Sequence, residues 1–130
     1  MLESSRHVVV EIDGVRFAES RRPRLLFETE LPTRYYLPKL DVRMDLLERS
    51  SYQSRCPFKG VASYWSVTVK NKHYKDLVWC YETVVPQAPT VAGYVCFLNE
   101  SIDIYVDQEL QTRPKSPWSD FHTSVKKTKE

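Results

Sequence analysis

The sequence predicts a mostly β fold, built as two antiparallel sheets or an open barrel, with one short helix near residues 41–47. Three observations support this class. Short segments alternate apolar and polar residues, turn-forming residues separate them, and very little of the 130-residue chain has helical apolar spacing. The hydrophobic share of 42% is enough for one packed core, so we expect a single domain over residues 1–130.

The N-terminal part of the chain predicts a hairpin and two further extended segments. Val8-Val9-Val10-Glu11-Ile12 is typical of a strand, and Asp13-Gly14 directly after it is a strong two-residue hairpin signal. Residues 15–19 alternate in polarity, as a half-buried partner strand would. Residues 25–28 predict a third strand, and residues 31–38 should be extended because residues before proline avoid the helical region.

The middle of the chain predicts a short helix, a loop and two longer strands. Residues 41–47 have helical apolar spacing, and Asp41 is a suitable N-cap. Residues 50–58 are expected to form a loop. Residues 62–69 and 74–81 are rich in aromatic and β-branched residues, which favours two strands paired around a turn at 70–73.

The C-terminal part predicts one more strand pair and then a polar tail. Residues 93–98 and 101–106 are expected to pair around Asn99-Glu100. Pro86 and Pro89 bracket a segment that should be irregular. From residue 111 to residue 130 the chain is polar, and we expect a loosely packed tail.

Charge and composition limit the classes of partner. The net charge is +2 and the basic residues are dispersed, so nucleic acid is not expected as a partner. No run of 18 apolar residues exists, so we expect no membrane association. The polar start of the chain does not resemble a signal peptide, which favours a cytoplasmic protein. An exposed edge strand could support a homodimer, although no residue pattern requires one.

The cysteines do not form a metal-binding pattern. Cys56, Cys80 and Cys96 are widely spaced and include no Cys-x-x-Cys pair, so we predict reduced thiols, no metal and no cofactor. The chain also lacks a phosphate-binding glycine loop, a His-Glu-x-x-His motif and a Gly-x-Ser-x-Gly motif. A nucleotide enzyme of a standard kind is therefore disfavoured.

The segment from Cys56 to Ser66 is the clearest marker of a site. It places a thiol, Cys56, and an amine, Lys59, three residues apart in a tight turn flanked by proline and glycine. Cys56 could be a nucleophile if a nearby cation stabilised its thiolate, or it could be a half-buried structural cysteine. Lys59 could bind an anionic group, form a Schiff base, or be an ordinary exposed turn lysine.

Aromatic residues on the two predicted central strands could line a cleft. Alternation places Tyr64 and Ser66 on one face of their strand, and Trp79 and Tyr81 on one face of the next. Ring faces are suited to stacking on a ligand, and hydroxyl groups can orient it. The alternative is that these rings are ordinary core residues.

A charged set accompanies the predicted helix. Asp41, Arg43 and Asp45 lie within five residues of one another. Arg43 could hold a carboxylate or a phosphate with two parallel hydrogen bonds, because its guanidinium is planar. It could equally form a structural ion pair with a neighbouring acid.

Several linked motifs occur in a fixed order along the chain. They are Tyr35-Tyr36-Leu37-Pro38, Asp41-Val42-Arg43-Met44-Asp45-Leu46-Leu47, Cys56-Pro57-Phe58-Lys59-Gly60 with Ala62-Ser63-Tyr64-Trp65-Ser66, Val78-Trp79-Cys80-Tyr81-Glu82, and Ala92-Gly93-Tyr94-Val95-Cys96-Phe97. Together they resemble the domain of unknown function 427 family, which also carries a nucleotidyltransferase-like label. The resemblance covers about residues 8–107.

The resemblance implies a β-tent fold, in which two antiparallel sheets are pinned at one edge and open at the other. β-tent relatives often carry a four-cysteine zinc site, but this chain lacks those cysteine pairs, so zinc is not implied here. Some relatives bind small ligands in an aromatic cage, which would suit Trp65, Trp79 and Tyr81. Others are methionine sulfoxide reductases with a catalytic cysteine, which would suit Cys56. The nucleotidyltransferase label finds no glycine-serine loop with paired aspartates in this chain.

The sequence therefore predicts a small polar or anionic ligand, bound in an aromatic-lined pocket without a metal. Two alternatives stay open. One is an enzyme that uses Cys56 or Lys59 as its nucleophile, and the other is a protein-interaction module with no pocket. The predicted ligand-binding residues are Tyr36, Asp41, Arg43, Lys59, Tyr64, Ser66, Trp79 and Tyr81.

Overall fold

Two antiparallel sheets make up the structure, a computed structural model that describes residues 2–57, 59–82 and 91–116. The strands in the described residues are β1 (Leu2–Glu3), β2 (Val8–Ile12), β3 (Val15–Ser20), β4 (Arg24–Leu26), β5 (Arg34–Pro38), β6 (Glu48–Cys56), β7 (Gly60–Val69), β8 (Lys72–Tyr81), β9 (Tyr94–Phe97), β10 (Asp103–Val106) and β11 (Glu109–Leu110). No helix among these residues is long and apolar enough to cross a membrane.

The larger sheet has seven strands in the order β1-β4-β5-β9-β8-β7-β6. The smaller sheet has four strands in the order β11-β10-β2-β3. The paired strands run antiparallel in both sheets, and neither sheet closes into a barrel within the described residues. The prediction of a mostly β fold with two antiparallel sheets is confirmed.

Two tight turns set the register of the predicted hairpins. Asp13 and Gly14 join β2 to β3 with φ values of 50° and 82°, the positive range that a two-residue hairpin turn needs. Lys70 and Asn71 join β7 to β8 in the same way, with φ values of 49° and 68°. The second turn is shorter than the predicted turn at 70–73, so β8 begins at Lys72.

The main core lies between the two sheets. Val8, Val10 and Ile12 of β2 pack in one cluster with Val67 of β7 and Val78 of β8. Each fully buried side chain of this kind contributes about 1.5–3 kcal/mol by leaving water. Because successive residues of a strand point to opposite faces, the alternate residues of β7 and β8 lie on the other face of the larger sheet, here called the outer face.

The predicted helix at 41–47 is wrong. The structure has two three-residue 3-10 helices, Lys39–Asp41 and Met44–Leu46, separated by extended backbone. Val42 forms a bridge with Ala18, and the Arg43 amide donates to the Phe17 carbonyl at 2.8 Å. These bonds to β3 take the place of the bonds that would continue a helix.

The predicted loop at 50–58 is also wrong, because Glu48–Cys56 form β6. This strand pairs with β7, and its register shifts between Arg49 and Gln53. Its side chains are polar and mostly exposed, as an edge strand allows. The strand therefore depends on backbone pairing to its neighbour, and the apolar alternation that marks a half-buried strand is missing.

The predicted pairing of the last two strands is wrong in a third way. β9 pairs with β5 and β8 in the larger sheet, whereas β10 pairs with β2 and β11 in the smaller one. The segment Asn99-Glu100-Ser101 is buried where the chain crosses between the sheets. The side chains of Asn99 and Glu100 have hydrogen-bond partners inside the protein, so the segment is an internal connection.

The beginning of the predicted tail packs on the smaller sheet. The Gln111 amide donates to the Ile104 carbonyl at 2.8 Å, and Arg113 pairs with Asp103 at 3.0 Å. The hydroxyl of Ser116 donates to Glu100. The rest of the tail, residues 117–130, and the predicted irregular segment with Pro86 and Pro89 lie outside the described residues.

Candidate functional site

A row of side chains crosses four adjacent strands on the outer face. Tyr36 of β5 lies opposite Cys96 of β9, Cys96 lies opposite Trp79 of β8, and Trp79 lies opposite Tyr64 of β7. Directly opposed residues point to the same side of a sheet, so the register alone brings these side chains together. Cys96 is the small member of the row and is fully buried beneath its neighbours.

Three aromatic residues of this row, with Tyr52 of β6, form what we call the aromatic ladder (Tyr36, Trp79, Tyr64 and Tyr52). The indole N–H of Trp79 donates to the hydroxyl of Tyr36 at 3.2 Å. The ring centroids of Trp79 and Tyr64 lie 6.4 Å apart, and those of Tyr64 and Tyr52 lie 4.9 Å apart. Exposure rises along the ladder, from 2% at Tyr36 to 51% at Tyr52.

Buried side chains close the inner end of the ladder. Tyr36, Ala62, Tyr81, Val91 and Cys96 form a cluster separate from the main core, which we call the outer cluster. Leu26 of β4 and Cys56 of β6 pack against it from the two sides. The inner rings are therefore enclosed by protein, and the accessible ring surface belongs to Tyr64, Trp79 and Tyr52.

An ion pair joins two distant parts of the larger sheet. Lys59 lies in the turn between β6 and β7, Glu28 follows β4, and their charged groups are 3.2 Å apart. In a flat sheet of this order, β4 and β6 would be about 24 Å apart, five strand spacings. The sheet must therefore curl over its outer face, which also explains why Leu26 and Cys56 share one cluster.

The buried phenols of the site stay protonated. Burial raises the pKa of Tyr36 and of Tyr81 well above the ordinary value of 10.0. The charge of Glu28 adds a smaller rise to both pKa values. Protonated phenols can donate hydrogen bonds, so Tyr81 could donate to an acceptor atom on a ligand.

Arg34 is a site residue that was not predicted from the sequence. Its guanidinium lies 5.5 Å from the centre of the Trp79 ring and donates to Asn99 at 2.7 Å and to Glu100 at 3.0 Å. Burial alone would raise the pKa of Glu100, but the hydrogen bonds from Arg34 and Ser116 lower it below its ordinary value. Arg34 and Glu100 are 66 positions apart, so no local pattern could have paired them.

The structure places the other predicted ligand-binding residues elsewhere. Asp41 accepts hydrogen bonds from Ser20 and Arg22, and Arg43 pairs with Asp45. Asp41 and Arg43 line a separate cleft of about 310 Å³ beside β3.

Neither Ser66 nor Trp65 belongs to the ladder. The hydroxyl of Ser66 accepts a hydrogen bond from the Asp76 amide at 3.0 Å. Trp65 packs in the main core, with the cations of Lys39 and Arg49 within 6 Å of its ring centre. An aromatic cage of Trp65 with Trp79 and Tyr81 is therefore not formed, because the rings lie on opposite faces of the sheet.

The two described imidazoles are bonded away from Cys56. His7 contacts Glu19 at 2.7 Å, and His73 contacts Thr68 at 3.1 Å, while His122 lies outside the described residues. No group of three or more potential metal ligands occurs in the part of the chain that the structure describes. Of the three thiols, only Cys56 is partly exposed.

Comparisons with known proteins address the family to which the chain belongs. No curated protein matches the chain. The family model described as "Domain of unknown function (DUF427)" matches residues 1–108, a span that includes β1 to β10 and the whole aromatic ladder. Since the match covers most of the sequence, the chain belongs to the DUF427 family.

Proposed function

We propose that this protein binds a small polar or anionic, ring-bearing ligand on the aromatic ladder, without a metal. The observation that carries the proposal is the ladder itself, with its ring exposure graded from the enclosed Tyr36 to the accessible Tyr52. Stacked or tilted aromatic contacts are worth about 0.5–1.5 kcal/mol each beyond the burial of their surface. Several such contacts would be needed to hold a small ligand.

Charged and polar groups border the same face and would orient the ligand. Lys59 is close enough to Cys96 for its charge to lower the pKa of that thiol, although burial raises it overall. Tyr81 belongs to the same cluster and supports the proposal as a hydrogen-bond donor. Arg34 has a structural role beneath Trp79, because its charge is already matched by Glu100.

The test is a screen of ring-bearing metabolites by thermal shift, followed by titration with ligand-observed nuclear magnetic resonance. Tyr52→Ala and Trp79→Leu should each weaken binding of the hits at least tenfold, because each removes a stacking surface. Tyr105→Ala, a strand tyrosine on β10 of the smaller sheet, is the matched control and should bind as the wild type does. A screen in which no hit depends on Tyr52 or Trp79 would overturn the proposal and favour a protein-interaction module.

A covalent role for Cys56 is the second candidate. The observation that favours it is the position of this partly exposed thiol, which packs against the outer cluster and lies three residues from Lys59. A ligand held on the ladder would be near the sulfur. The chain would then be an enzyme, with Cys56 or Lys59 as its nucleophile.

Other expectations from the sequence stay predictions. They are the β-tent arrangement, the cytoplasmic location, and the lack of nucleic-acid and membrane partners. A homodimer also stays a prediction, and β6 is where we would look for it, because this strand is an edge of the larger sheet.

A further inference from the structure

The loop between β4 and β5 carries Glu28, whose carboxylate pairs with the amine of Lys59. Glu28 is 41% exposed, whereas the lysine side chain is only 17% exposed. Phe27 and Leu31 in the same loop expose 55% and 40% of their surface. A loop with such exposed side chains has few packing contacts to hold it, so its acid can move while the lysine stays in place.

We infer that the ligand is a ring-bearing monocarboxylate. When no ligand is bound, the Glu28 carboxylate pairs with Lys59 in the position that the ligand carboxylate would take. The inference rests on the proposed function and names the ligand class for that site. A bound ligand would lay its ring on the ladder, and its carboxylate would replace that of Glu28 at the Lys59 amine.

The charges on the outer face favour a single negative charge on the ligand. Among the described residues, Arg34, Arg24 and Lys59 are cations on this face or at its border, and each one contacts a carboxylate. The pairs are Arg34 with Glu100, Arg24 with Glu3, and Lys59 with Glu28. Exchange of one carboxylate for another at Lys59 leaves the net charge there unchanged. A phosphate dianion would add a second negative charge near groups that are already neutralised.

Of the three pairs, only the one at Lys59 suits such an exchange. The carboxylate of Glu100 is fully buried and is held by Arg34 and Ser116. Arg24 stacks over the Tyr94 ring at 4.5 Å, and its partner Glu3 lies on the two-residue edge strand β1. Glu28 lies in an exposed loop, and its partner Lys59 lies beside the outer cluster.

The experiment compares carboxylates with their uncharged amides. The probes are benzoate and indole-3-carboxylate, with benzamide and indole-3-carboxamide as neutral counterparts, titrated into the full chain and followed by nuclear magnetic resonance. Glu28→Gln removes the competing charge and keeps the shape of the side chain. It should tighten binding of both carboxylates about 3- to 10-fold, because the competitor no longer occupies the lysine, and leave the amides unchanged.

Two further variants separate the causes. Lys59→Met removes the amine and keeps the aliphatic stem, so the preference for carboxylate over amide should disappear. Glu30→Gln changes the net charge of the same loop equally and should bind every probe as the wild type does. If Glu28→Gln binds the carboxylates no more tightly than the wild type, the inference is wrong. The proposed function would survive that result if the amides still bind in a manner that depends on Trp79, and both would fail if neither series binds.

Discussion

Trp79 donates its indole N–H to the hydroxyl of Tyr36 at 3.2 Å, across the strand β9 that separates their own strands. The bond passes over Cys96, which stands opposite both residues in the register. It links β5 and β8 through side chains, in addition to the backbone pairing of each strand with β9. The position of the Trp79 ring, and with it the surface offered to a ligand, therefore depends on Tyr36.

Tyr36→Phe tests this dependence. The substitution removes the acceptor and leaves the part-buried indole N–H without it, so the free energy of unfolding should fall by about 1–3 kcal/mol. Urea denaturation measures the change. Tyr105→Phe is the control on the smaller sheet and should stay within about 0.5 kcal/mol of the wild type. An unchanged midpoint for Tyr36→Phe would mean that the hydrogen bond does not fix the indole.

The ion pair of Arg34 with Glu100 should be costly to break. Arg34→Met leaves the fully buried Glu100 carboxylate without its cation, and we expect a loss of about 3–5 kcal/mol in the free energy of unfolding. Arg43→Met removes one partner of the exposed pair with Asp45 and is the matched control, with a much smaller expected loss because water screens the pair. Equal losses for the two variants would show that burial does not distinguish the pairs.

Glu100 should also make stability depend on pH in the acid range. Its pKa is lower in the folded state than the ordinary value of 4.5, so the unfolded chain takes up the proton more readily. The stabilisation is therefore complete above pH 4.5 and is lost as the pH falls through the folded pKa. The unfolding free energy of the wild type should fall more steeply below this pH than that of Glu100→Gln.

The comparison in that pH series isolates Glu100, because the other acids with lowered pKa values are present in both proteins. Within the described residues they are Glu19, Asp41, Asp45 and Glu82. Parallel curves for the wild type and Glu100→Gln would contradict the assignment.

Thiol labelling should distinguish the three cysteines. Burial raises the pKa of Cys80 to about 11 and raises that of Cys96 further, so neither should react in the folded protein. Iodoacetamide near pH 8 should modify Cys56 alone, as peptide mapping by mass spectrometry would show, and Cys56→Ser should abolish the labelling. A reaction at Cys56 no faster than that of a small-molecule thiol would count against the covalent candidate function.

The hairpin between β2 and β3 offers a test of backbone conformation without a change in packing. Gly14 has a φ of 82°, and an added Cβ atom would meet nothing within 4 Å. Gly14→Ala should therefore cost about 1–2 kcal/mol through the strained backbone alone. Differential scanning calorimetry would measure the cost, and a melting temperature equal to that of the wild type would refute it.

The sequence predicted the elements that local chemistry determines. Asp13-Gly14 specified a hairpin because few other residue pairs adopt positive φ at both positions. The segment at 41–47 was mispredicted because its backbone bonds to Phe17 and Ala18, which no helical spacing reveals. β6 was missed because a polar edge strand owes its structure to its neighbour.

The site residues whose positions depend on strand register could be predicted from the sequence. The contacts that depend on the curvature of the sheet could not. Alternation correctly placed Trp79 and Tyr81 on one face, and the structure adds Tyr36 and Tyr64 to them. The partner of Lys59 could not be foreseen, because Glu28 reaches it only once the sheet has curled. Asp41 and Arg43 lie in a different cleft, since the chain around them follows β3.

The strand order has a consequence for the rate at which this protein folds. β6, β7 and β8 are consecutive in the chain and can assemble through short hairpins, whereas β9 must be inserted between β8 and the much earlier β5. Pairings between residues far apart in sequence slow folding, because the loop must close before any contact rewards it. The hydrogen bond from Trp79 to Tyr36 can form only after that insertion. The fluorescence emission of the Trp79 indole would therefore report a late step in folding.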